Sequence, residues 1–585
     1  MTESTGSGQG HEPSDASSRL ADVAASAWED ALKQDPLFAT AIGDRRFDDR
    51  LRPNGPDALE AAAERVDAAL RRTTAIDPER LAPADRITRT ALVDFLGAER
   101  DRLDAGIEAW DVDPLDGPQV TFLNVPSFQP IRDRDDAAAL LARWREMGPW
   151  IDRHVETSRD ALRRGVGAPH ALVRSVVAEL DDLLARDVAE WPLLEPARDL
   201  PPMIAPPAAD RFATDVAEVV ARSIRPAFGR YRAFLVDELA PVARGDDRPG
   251  LAALPDGDAI YGRLVRSHTT LDLTPGAIHQ VGLDETARID REFEELGAAV
   301  LGTGDRPAVI RRLRSDPALH FETGAEVFAV AEASLARADA AIPGWFGRLP
   351  AARCDVAEMA EHEARHSTIA YYREPAGDGS RPGTYYINTT EPQTRPRYEA
   401  EVLAFHEAVP GHHLQVAIAQ ELAGLPAFRR FAGPTAYIEG WGLYSERLSD
   451  VMGLLSGELD RFGILSFDAW RACRLVVDTG LHALGWSRDA AIAFMVDHTA
   501  LAENNIVNEV DRYLAIPGQA LAYKLGQLEI LRLRSEARTA LGPRFDIRRF
   551  HDAVLTEGAV GLVTLDELVR SWIAREQEDA ATTDT

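Results

Sequence analysis

The chain has 585 residues, 45% of them hydrophobic, which is more than one hydrophobic core usually serves and enough for two packed helical halves. Its 95 Asp and Glu against 65 Lys and Arg give a formal charge of −30, which argues against a nucleic-acid backbone or an anionic membrane surface as a partner. With only two cysteines, Cys354 and Cys473, a disulfide framework is excluded and a reducing, cytoplasmic setting is expected.

Residues 1–18 are Ser, Gly, Glu and Asp with hardly an apolar anchor, and a disordered tail is expected there. They contain no basic start followed by an apolar stretch, so no export signal is expected. No segment offers about 18 uninterrupted apolar residues, so no membrane span is expected. Beyond the tail the pattern is overwhelmingly helical. Residues 136–164 and 170–191 repeat apolar residues at three and four spacing and are rich in Ala, Leu, Arg and Glu. Pro-rich breaks at 193–207 and around 250–255 read as turns between helices. Two segments read as β: STIAYY at 367–372, and TYYINTT at 384–390 after Pro382 and Gly383. The expected fold is mainly α, with a helical N-terminal half over 19–345 and a second half over 346–577 that carries one small sheet. The last residues, 578–585, are expected to be another disordered tail.

The first metal-like motif in chain order is HEARH at 362–366, a literal HExxH. Its context is poor. Arg365 would put a cation beside a dication, Glu361 precedes it, and STIAYY follows where a helix should continue. The segment reads as a polar surface turn, with His362, Glu363 and His366 as the alternative site.

Residues 406–415 read HEAVPGHHLQ. A zinc peptidase needs three protein ligands and a carboxylate placed to take a proton from water, usually as HExxH on a helix. Here the second His is displaced by two positions. On a straight helix His406 and His412 would be about 9 Å apart along the axis and point about 120° apart, too far for one ion. The two extra residues are Pro410, which breaks the helical ladder, and Gly411, which accepts unusual dihedrals. Looping them out restores His-Glu-x-x-His, with Glu407 as general base and His406 and His412 as ligands. Spacing favours His412 and leaves His413 as the rival, the other being left to orient substrate or a ligand. The bland alternative is a helix end capped by two histidines. The third ligand is expected on a following helix. In AYIEGWGLYSERL (436–448) Glu439 stands beside Gly440, which permits close packing, whereas Glu446 suits a supporting position or a surface pair with Arg447.

Four blocks, HEAVPGHHLQ, IEGWGLYSE, DTGLHALGW (478–486) and NEVDRYLAIPGQALAYKLG (508–526), together resemble the bacterial family DUF885, itself similar to the gluzincin metallopeptidases. The resemblance covers most of the chain and is strongest from about Gly383 to Arg534. It implies a mostly helical fold like the thimet, Taq-carboxypeptidase and angiotensin-converting types, with a deep channel between two halves. It implies no substrate. By analogy, the edge of a sheet beside the zinc helix would pair with an extended peptide, which makes Tyr386 and Asn388 candidates.

Donors to a developing oxyanion are expected among His482, Arg512, Tyr513 and Tyr523, with Tyr523 first and His482 second. Arg512 or Lys524 would suit a peptide's terminal carboxylate, which would make the protein a carboxypeptidase. The reading is a zinc-dependent peptidase of short peptides. A zinc amidase acting on a non-peptide amide and a non-catalytic helical binding protein are the rivals. A di-iron bundle needs two Glu-x-x-His pairs. Only Glu363 with His366 supplies one.

Overall fold

The computed structural model describes residues 15–198, 200–202, 204–359, 369–377, 379 and 381–583. The HEARH segment lies outside the described residues. The first helix, Asp15–Gln34, begins inside the expected tail because Ala16 joins the buried stripe of Leu20, Val23, Ala24 and Ala27. At the other end the helix Leu562–Thr583 runs through most of 578–585, since extending a formed helix costs little even where no apolar residue anchors it. Residues 15–18 and 578–583, expected in the tails, are therefore helical. The 136–164 expectation corresponds to Arg134–Arg163, whereas the one at 170–191 stops at Ala185. There the backbone turns extended at Arg186 and a short 3-10 turn, Val188–Glu190, carries the chain onward.

The chain halves are not separate bodies. One apolar core includes residues from Ala16 to Ile573. Helix Pro275–Leu296, from the first half, packs along Arg461–His482 from the second, and Gly257–Thr269 packs on both Pro83–Ala105 and Leu521–Leu541. Helix Arg461–His482 is the centre of this arrangement, with every residue after Arg461 buried. Around it stand the helices that carry the motif residues: Arg397–Glu407, Thr435–Val451, Glu503–Ala515 and Leu521–Leu541. Thr435–Val451 meets Leu521–Leu541 at a glycine-on-glycine crossing. A Cβ on Gly440 would stand 2.5 Å from the Gly526 Cα.

The sheet has three strands, β1 (Cys354–Glu358), β2 (Ala370–Arg373) and β3 (Gly383–Ile387), in the order β1-β3-β2. β1 runs parallel to β3, pairing Val356 with Tyr385, and β2 runs antiparallel, pairing Tyr372 with Tyr385. This corrects the peptide-pairing expectation. Tyr386 is on the central strand, whose backbone groups are taken on both sides, so β3 offers no edge to an extended peptide. The ring of Tyr386 stacks on Tyr371 with centroids 5.0 Å apart. Among the described residues no helix is long and apolar enough to cross a membrane.

Candidate metal centre

The helix Arg397–Glu407 ends where the Pro-Gly insertion begins. Ala408 leaves helical space (φ −107°, ψ −102°), the Val409–Pro410 peptide is cis, and a new helix starts at His412. The insertion is tightly held: the Trp441 indole donates to the Pro410 carbonyl (2.9 Å), and the His413 N–H reaches back to the Ala408 carbonyl (3.0 Å). Only glycine fits at 411, since a Cβ there would stand 1.9 Å from the His406 carbonyl oxygen. The loop sets His406 and His412 edge to face, ring centroids 4.7 Å apart.

Glu439 meets both imidazoles. Its Oε2 is 3.9 Å from His406 Nε2 and 3.4 Å from His412 Nε2, and one ligand atom from each of the three residues falls within 4.8 Å of the others. Helix Thr435–Val451 can lie this close because residue 442 is glycine; a Cβ there would stand 2.9 Å from His406 Cε1 and Nε2 and 2.9 Å from His412 Cε1. One turn further on, Glu446 is fully buried and its Oε1 accepts from His406 Nδ1 at 2.7 Å, which leaves the Nε2 lone pair for the cluster. Two imidazoles, a carboxylate and a supporting carboxylate behind one His form a donor set that fits zinc.

His413 points elsewhere. Its Nδ1 meets the Tyr372 hydroxyl (3.1 Å) and its Nε2 the Ala352 carbonyl (3.0 Å), so both ring nitrogens serve to tie β2 and the strand β1 approach to the helix. It is neither in the donor cluster nor available to bind substrate, which corrects the role expected for it.

A family model described as "Bacterial protein of unknown function (DUF885)" matches residues 36–569. The chain belongs to the DUF885 family. Among solved structures, a "putative lipoprotein from Colwellia psychrerythraea" superposes with a TM-score of 0.89 at 27% identity, covering 96% of this chain and 99% of that one. A "putative lipoprotein of unknown function from Shewanella oneidensis" superposes at 0.72 and 16% identity, covering 94% and 99%, a likeness of fold alone. No curated protein matches.

The electrostatics of this DUF885 site follow from burial. Burial drives His406 well below the usual imidazole range, aided by the charges of His412, Arg471 and Arg474. Burial would also lower His412, but the hydrogen bond to Glu439 and the charges of Glu439 and Glu407 outweigh it and raise it. Glu439 is raised by burial yet ends below its ordinary value, held there by His412, Arg512 and the Tyr523 hydroxyl. Glu407, beside His406, is pushed up to about 7 by burial, with Glu439 adding and His412, Arg471 and the Tyr372 N–H opposing. A carboxylate poised near neutrality is suited to carry a proton in both directions.

The remaining expected residues divide sharply. Tyr523 belongs to the site, with its hydroxyl acting on Glu439 and 3.5 Å from Arg512 Nη2. Arg512 also meets Gln519 Oε1 (3.2 Å) and Glu509 (3.7 Å). Tyr513 does not, because its hydroxyl is occupied by the Trp470 indole and Arg474 Nε, both at 3.0 Å. His482 is corrected too: its Nδ1 accepts from the Leu251 N–H (3.2 Å) and its Nε2 donates to the Tyr513 carbonyl (2.9 Å), leaving nothing for an oxyanion. Lys524 is fully buried on Asp468, Glu285 (2.9 Å) and Gln527 Oε1 (2.8 Å), and is a core counter-ion that no peptide carboxylate can reach. Asn388 is buried, its Oδ1 accepting from the Thr390 N–H (3.1 Å), in the wall of a cavity of about 670 Å³. Glu399, Ala400 and Leu403 line that cavity and lie on the helical stripe that ends at Glu407. Sequence reasoning missed Gly442, Arg471 and Arg474. The signal for the arginines was present: two guanidiniums between the apolar runs of one helix require buried partners.

Proposed function

We propose that this DUF885 chain is a zinc-dependent peptidase of the gluzincin kind acting on short peptides. The convergence of His406, His412 and Glu439 to within 4.8 Å, with Glu407 adjacent, is the observation that carries the reading. His406 and His412 would hold the metal through ring nitrogens and Glu439 through a carboxylate oxygen, and the bound metal would supply a Lewis acid for the scissile carbonyl. Glu407 takes the proton from the attacking water and returns it to the leaving amine. Glu446 keeps the His406 ring in one tautomer and orientation. Tyr523, whose hydroxyl acts on Glu439 here, would turn that O–H to the developing oxyanion once Glu439 holds the metal. The cavity along Glu399, Ala400 and Leu403, which lie on the helix that ends at Glu407 although the donor cluster itself does not line it, would be the room for a chain of a few residues.

The test is a peptide library digested by the purified protein with and without chelator and read by mass spectrometry, beside Glu407→Gln. Wild type should bind one zinc and cut chelator-sensitively, and Glu407→Gln should bind zinc and cut at least about 10²-fold more slowly. No stoichiometric zinc in wild type, or an equally fast variant, sinks the reading.

A further inference from the structure

Helix Arg461–His482 buries two arginines one turn apart, and their donors are spent differently. Arg474 is paired through Nε with the Tyr513 hydroxyl (3.0 Å) and through Nη2 with Glu509 (2.8 Å), with Nη1 left without a partner among the described residues. Arg471 is only 5% exposed, yet its Nε and Nη1 are buried with no hydrogen-bond partner among the described residues. Ring faces hold it, with the guanidinium 4.2 Å from the Trp470 centroid, 4.8 Å from Phe467 and 5.8 Å from Tyr523. A buried guanidinium is strongly penalised unless something accepts its N–H groups, so these donors call for an acceptor that the described residues do not provide.

The position of Arg471 says where such an acceptor would lie. Its charge acts on His406, Glu407, His412 and Glu446 around the donor cluster, and on Glu399 in the cavity wall. No carboxylate stands within ion-pair distance of it among the described residues, so it is not a structural counter-ion in the way Lys524 is. Its neighbours reinforce the sign. Arg471 and Arg474 both lie over the Tyr523 ring and Arg512 touches its hydroxyl, while Glu509 is the carboxylate that pairs with Arg474 and Arg512. Three arginines thus gather around Tyr523, whose hydroxyl also acts on Glu439 in the donor cluster.

We propose that Arg471 is the receptor for a carboxylate of the substrate, so that this site prefers short peptides cut close to a free C-terminal carboxylate. The proposal rests on the peptidase reading for its chemistry. The planar guanidinium fork matches a carboxylate with two parallel N–H bonds, and burial against aromatic faces keeps water from competing. An acidic side chain next to the scissile bond presents the same group from a second source.

The experiment measures binding and cleavage separately. Calorimetry on zinc-loaded Glu407→Gln protein compares three N-acetyl tripeptides: a neutral one with a free carboxylate, its C-terminal amide, and an amide with Asp as its last residue. The free acid should bind on the order of 10- to 100-fold more tightly than its amide, the scale of a charge-assisted pair. Arg471→Met in the same background should bring that ratio to about one, and Arg471→Lys should restore part of it. Equal binding of acid and amide without any Arg471 change overturns the proposal, and does so even if Arg471→Met fails to fold. It is also overturned if Arg471→Met weakens both ligands by the same factor, which marks a merely structural residue, or if neither ligand binds. Binding of the Asp amide as tight as the free acid would transfer the specificity to acidic side chains and overturn the terminal preference. If the acid preference holds while wild type leaves every peptide of the library intact, the receptor stands and the peptidase reading falls.

Discussion

Gly442→Ala separates metal binding from folding. An alanine Cβ would sit 2.9 Å from His406 Cε1 and Nε2 and 2.9 Å from His412 Cε1, where ordinary contact is 3.4–4 Å. Relief therefore requires each ring to retreat by at least about 0.5 Å, whereas zinc–nitrogen bonds near 2.0–2.1 Å tolerate about 0.2 Å. The opposing effect is small and favourable: within a helix Ala is better than Gly by about 1 kcal/mol. The expected result is a metal-free protein whose denaturant midpoint stays close to wild type while zinc affinity falls by about 10²-fold or more. The assay is competition with a chromophoric chelator, alongside urea unfolding of both metal-free proteins. Zinc affinity within about threefold of wild type would refute the assignment of His406 and His412 as facing donors.

Three further outcomes follow from the contacts. Glu446→Leu removes the acceptor behind His406 Nδ1 and should weaken zinc binding by about 10- to 100-fold, with Glu446→Gln losing less because an amide oxygen can still accept; equal losses would count against an orienting role. Lys524→Met removes one of the cations on Asp468 and Glu285, both of which Arg288 still bridges with Arg447 also on Asp468, and should cost about 1–3 kcal/mol in urea unfolding, with no change in the acid-over-amide binding ratio; a lost ratio would return Lys524 to the substrate. Asp478, which accepts from the Tyr261 hydroxyl and the Gly518 N–H, is pushed up to about 7 by burial. Between about pH 4 and 7 the native state keeps this proton while the unfolded chain loses it, so its stabilising effect is full at acid pH and is lost as pH rises through that window. Asp478→Asn removes the titration and should gain on wild type by up to about 4 kcal/mol across the window, read by urea midpoints; a flat difference would show that Asp478 titrates normally.

The helical class was legible because helix period is a local property, and stripes such as Leu140, Trp144, Met147 and Ile151 are written in one segment. β3 was legible for the same reason. β1 was not: CDVAE carries one β-branched residue, and its strand conformation comes from pairing with Gly383–Ile387, almost thirty residues away. Sheet order was equally hidden, so the strand read as an edge turned out to be the centre. In the second half of the chain, the fates of His482, Tyr513 and Lys524 depended on groups at Leu251, Trp470 and Glu285, which no spacing rule brings into view.

What the sequence by itself determined about the site is its chemistry: a His-Glu pair, two histidines beyond a Pro-Gly insertion that demands a bulge, and a later Glu beside a small residue. What only the tertiary structure decided is the use of each donor. His412 faces Glu439 and His413 does not because Tyr372 and Ala352, brought in by the sheet, claim both His413 nitrogens. Arg474 has an ion-pair partner and Arg471 has none among the described residues because Glu509 arrives beside only one of them. Hydrogen-bond capacity is a property of the residue, but whether it is already consumed depends on neighbours far away in the chain.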